Sequence, residues 1–108
     1  MPTENEIKAR LRVMGYPERR IEGVTQKLTQ LQPQLQEPFE RWFETGELPK
    51  LEVEGFNADR LIGNMGMNPA AVFLSLDWLL REPALAKGHL DRGHDYVYFV
   101  HIPEEVED

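Results

Sequence analysis

Met65-Gly66-Met67-Asn68-Pro69-Ala70-Ala71-Val72-Phe73-Leu74-Ser75-Leu76-Asp77-Trp78-Leu79-Leu80 is the stretch on which the fold turns. A glycine past a helix end can take the left-handed conformation that closes the last turn. A proline at a first helical position gives up a donor that would be unpaired anyway. Gly66 therefore ends one helix, Asn68 caps the next and Pro69 starts it. The helix from Pro69 is apolar almost all round, interrupted by Asp77, and is expected to be the central, most buried element. Pro83 is expected to end it.

The same punctuation stands at Met14-Gly15-Tyr16-Pro17. Upstream, Thr3 and Glu6 have the Ser/Thr-x-x-Glu spacing of a capping box, and Ile7, Leu11 and Met14 then share one helical face. Gly15 ends that helix. Pro17 starts a second, with Ile21, Val24, Leu28 and Leu31 at helical spacing. Pro33 and Pro38 predict a break near Gln32 to Gln34, then a third helix to about Thr45 carrying Phe39, Trp42 and Phe43. In that helix Pro38 is tolerated only in the first turn or at a kink. The rival is one bent helix over residues 17–45; Gly46 stops either.

Leu51-Glu52-Val53-Glu54 alternates as an extended connection or a lone strand would. Asn57 then caps a fourth helix through Leu61, Ile62 and Met65, and a short helix over about residues 84–90 follows the central one. Residues 96–102 (Tyr-Val-Tyr-Phe-Val-His-Ile) have high β-propensity. They are expected to pair with residues 51–53, to strap the helices, or to add to another copy of the chain. The fold class is thus mainly α: a compact single-domain bundle of five or six short helices, residues 1–102, with a short extended C-terminal segment. Residues 103–108 read as an acidic disordered tail.

A chain of 108 residues without cysteine must hold itself together by packing, with no disulfide, zinc ribbon or thiol nucleophile. At 41% hydrophobic and 29% charged it has a globular composition. No apolar run approaches membrane-spanning length and no signal peptide is evident, so the chain is expected to be soluble and cytoplasmic. The net charge of −7 is uneven: residues 1–54 carry 8 basic and 10 acidic side chains, residues 55–108 carry 4 and 9. Such a surface repels phosphate backbones, which makes nucleic acid an unfavoured partner. Lys8, Arg10, Arg12, Arg19, Arg20 and Lys27 form a locally basic face, but Glu4, Glu6, Glu18 and Glu22 interleave with them as in an ion-paired helix face.

The sequence has no Gly-rich phosphate loop, no Gly-x-Ser-x-Gly elbow and no triad pattern. Its most enzyme-like feature is the group His89, Asp91 and His94, with Asp95 beside them and His101 beyond. Two histidines five apart do not share a helix face, so the competing expectation is a polar turn, and no metal or cofactor is assigned. Asp77, inside the apolar helix, must be exposed, hydrogen-bonded or shifted in pKa. An exposed polar stripe is the ordinary outcome and a buried catalytic acid the sharper one.

Met14-Gly15-Tyr16 followed by a helix resembles the Met-Gly-aromatic loop of ubiquitin-associated (UBA) domains, and Asp77-Trp78-Leu79-Leu80 is similar to the apolar end of that family's last helix. The likeness is local, with the two pieces far apart in sequence. It would imply one small partner-binding patch made by Met14, Gly15, Tyr16, Leu79 and Leu80. Gly15-Tyr16-Pro17 with Arg19 and Arg20 also has the outline of a helix-turn-helix corner.

These features favour a small non-catalytic protein-protein interaction or regulatory module that binds a protein partner or itself. Tyr16, Tyr96, Tyr98 and Phe99 are the candidate contacts, since aromatic side chains supply much interface energy. The alternatives are a helix-turn-helix-type DNA-binding protein and a metal-dependent enzyme using the C-terminal His/Asp cluster.

Overall fold

Helix α5 (Pro69–Arg81) buries every residue from Ala70 to Leu76, and Leu79 after them. A computed structural model describes residues 1–91. Around α5 it places α1 (Glu4–Val13), α2 (Glu18–Thr29), α3 (Pro33–Thr45), the two-residue strands β1 (Glu52–Val53) and β2 (Phe56–Asn57), α4 (Ala58–Met65) and α6 (Pro83–Asp91). Helices α2, α3, α4 and α6 and strand β1 all pack against α5, while α1 packs on α2. The protein is mainly α. Residues 92–108, including the expected extended segment and acidic tail, lie outside the described residues.

The core forms where the apolar spacing placed it. Phe39 meets Phe73 edge-on at 5.4 Å, and Trp42 lies 5.8 Å from Phe39 and 6.1 Å from Phe73, ring to ring. Such tilted and edge-on pairs bring opposite parts of the ring quadrupoles together. Leu76 and Leu79 are fully buried in the same cluster. Ser75 is buried too, and its hydroxyl donates to the Met67 sulfur at 3.3 Å, so the one small polar side chain in the middle of α5 is satisfied.

Both Met-Gly corners close as left-handed glycine stops. At the first, Gly15 has φ 95°; its N–H donates to the Arg12 carbonyl and that of Tyr16 to the Leu11 carbonyl, both at 3.0 Å. That pair of bonds is a Schellman closure. At the second, Gly66 has φ 66°, with Met67 N–H reaching back to the Leu61 carbonyl at 3.2 Å. Helices α1, α4 and α5 start on side-chain caps: Thr3 and Glu6 complete the capping box, Asn57 accepts from Arg60 N–H and Asn68 from Ala71 N–H.

As expected, residues 17–45 form two helices and not one bent helix, because Gln30 and Gln32 leave helical geometry and Pro33 restarts the chain. Three details differ from the expectation. Pro17 sits at the N-cap in extended backbone, not in the first helical position. Pro38 lies in the second turn of α3, where the bond it cannot donate would have gone to the exposed Gln34. The connection after Gly46 folds on itself as a hairpin, with Glu52 opposite Asn57 and Val53 opposite Phe56. Val53 and Phe56 are both buried, so the hairpin is held by the core it covers.

Candidate functional site

Tyr16 joins the two corners. Its ring is buried, with 9% of its surface exposed, and its hydroxyl donates to Asn68 Oδ1 at 3.1 Å across 52 residues of sequence. The same oxygen accepts from Ala71 N–H at 2.8 Å, so the cap of α5 is also the anchor of the α1–α2 turn. Tyr16→Phe should cost about 1 kcal/mol, the usual net worth of one such bond, in urea unfolding. No change would mean that the two corners are not coupled through this hydroxyl.

This geometry separates the residues that the UBA likeness would bring into one patch. Tyr16 meets the start of α5 at Asn68, whereas Leu79 and Leu80 lie 11 and 12 residues further along it, roughly 17 Å or more at the rise of an α-helix. Leu79 is moreover fully buried.

Two cations of the basic face, Lys8 and Arg12, are engaged by carboxylates of α2. Arg12 donates to both oxygens of Glu18 at 2.7 and 3.3 Å, and Lys8 lies 3.4 Å from Glu22. Arg10 turns inward over the Phe43 ring, 4.2 Å from its centroid, and donates to the Phe43 carbonyl at 3.1 Å. These contacts tie α1 to α2 and α3. Glu18 is held below the ordinary carboxylate range by its hydrogen bond from Arg12, Glu22 by Gln26 and then Lys8, and Glu6 by the Thr3 backbone N–H. A lowered folded pKa gives stability that is complete above the unfolded value and lost as pH falls through the folded one. Acid titration below about pH 4 should therefore loosen the α1–α2 pair, and the double substitution Glu18→Gln and Glu22→Gln should flatten that part of the circular-dichroism curve. An unchanged curve would contradict it.

Asp77 acts as a clasp. Its side chain is only 14% exposed; Oδ1 accepts from Gln32 N–H at 2.8 Å, and Oδ2 from Arg81 Nε at 2.7 Å. Arg81 in turn donates to the Gln30 carbonyl at 2.6 Å. One carboxylate and one guanidinium thus hold the α2–α3 turn onto the end of α5. Of the His/Asp group, His89 stacks on Trp78 with ring centroids 5.6 Å apart, and Asp91 lies 3.5 Å from Arg60. Among the described residues no three His, Asp or Glu side chains converge as a metal site. His94, His101, Tyr96, Tyr98 and Phe99 lie outside the described residues.

A groove of about 340 Å³ opens beside the hairpin, lined by Lys50, Leu51, Glu52, Asn57, Ala58 and Asp59. Unlike Glu18 and Glu22 of α2 and Asp77 of α5, Glu47, Glu52, Glu54 and Asp59 form no ion pair among the described residues. Residues 47–55, expected as an extended connection or a lone strand, carry this surface, which the sequence pattern did not reveal. The available signal was Glu54-Gly55 between Val53 and Phe56, a two-residue link between apolar positions that suits a hairpin.

Comparison with family models, curated proteins and solved structures finds no match to this chain. No helix among the described residues is long and apolar enough to cross a membrane.

Proposed function

We propose that the protein is a non-catalytic binding module that works by contacting another protein or a second copy of itself. The observation that carries this reading is the division among its charged groups. Asp77, Glu18, Glu22 and Asp91 are engaged with arginines or lysines of the fold, whereas Glu52 and Asp59 at the hairpin groove are exposed and have no ion-pair partner among the described residues. An open groove with a polar rim is the kind of surface a partner fills. Tyr96, Tyr98 and Phe99 supply the aromatic contacts of this reading, and Tyr16 enters it through the corner it holds.

Light scattering and affinity capture from the native cell test it, using the full chain and the triple variant Tyr96→Ala, Tyr98→Ala and Phe99→Ala. The reading expects a mass above the chain's 12.6 kDa that the triple variant lowers, or a stoichiometric partner that it loses, with helix content unchanged. A monomer that recovers the same proteins in both forms contradicts it.

A further inference from the structure

We draw no further inference here: the strongest candidate, the groove over the β1–β2 hairpin lined by Lys50, Leu51, Glu52, Asn57, Ala58 and Asp59, belongs to the surface already described, and nothing in the structure shows what covers it.

Discussion

Phe73→Ala is expected to cost about 3–5 kcal/mol of folding stability, a large share of the roughly 5–15 kcal/mol that holds a domain together. Phe73 is fully buried at the middle of α5, edge-on to Phe39 and 6.1 Å from Trp42. Elements on several sides of α5 must keep their places for the fold to persist, so the surroundings have little freedom to collapse into the space left behind. Leu85→Ala, at a site half exposed on α6, is expected to change stability by less than about 0.5 kcal/mol. Urea unfolding of the two variants checks the contrast; a Phe73→Ala loss below about 1 kcal/mol would show that α5 is not the packing centre.

Asp77→Ala comes next, at about 1.5–3 kcal/mol, the range for hydrogen bonds to a charged group. The substitution removes the acceptor of the Gln32 N–H at the start of α3, and it frees Arg81 from the position in which it reaches Gln30. Amide exchange at Gln32 should accelerate along with the loss of global stability. Asp77→Asn keeps one oxygen for Gln32 and should cost clearly less. Equal losses in the two variants would mean that charge alone matters there, and no loss in either would dissolve the clasp.

Much of the local structure was legible in the sequence because its causes are local. The Thr3–Glu6 capping box, the Asn57 and Asn68 caps and the glycine stops at 15 and 66 each depend on residues within one or two turns. The burial of α5 follows from its uninterrupted apolar run. Contacts made across 45 and 52 residues left no such trace: nothing near Asp77 announces Gln32, and nothing near Tyr16 announces Asn68. The hairpin was obscured because each strand is only two residues long, too short for alternation to separate from a connection. Pro38 misled in the other direction, since a missing backbone bond on an exposed turn is tolerated when the opposite face carries Leu35, Phe39 and Trp42 into the core. Of the candidate contact residues, Tyr16 is the one the described structure contains, and its position depends on the long-range bond to Asn68.

The most direct test of the architecture compares two glycines of one short segment. Gly63 lies inside α4, whereas Gly66 ends it with φ 66°, and a Cβ added at either position meets nothing within 4 Å. Space is therefore equal and only backbone conformation differs. Gly63→Ala should stabilise the protein by about 0.5–1 kcal/mol, the helix-interior gain over glycine, while Gly66→Ala should destabilise it by about 1–2 kcal/mol through left-handed strain. Opposite signs in a urea unfolding comparison are the result this fold predicts. The same sign at both positions would contradict the left-handed corner that separates α4 from α5.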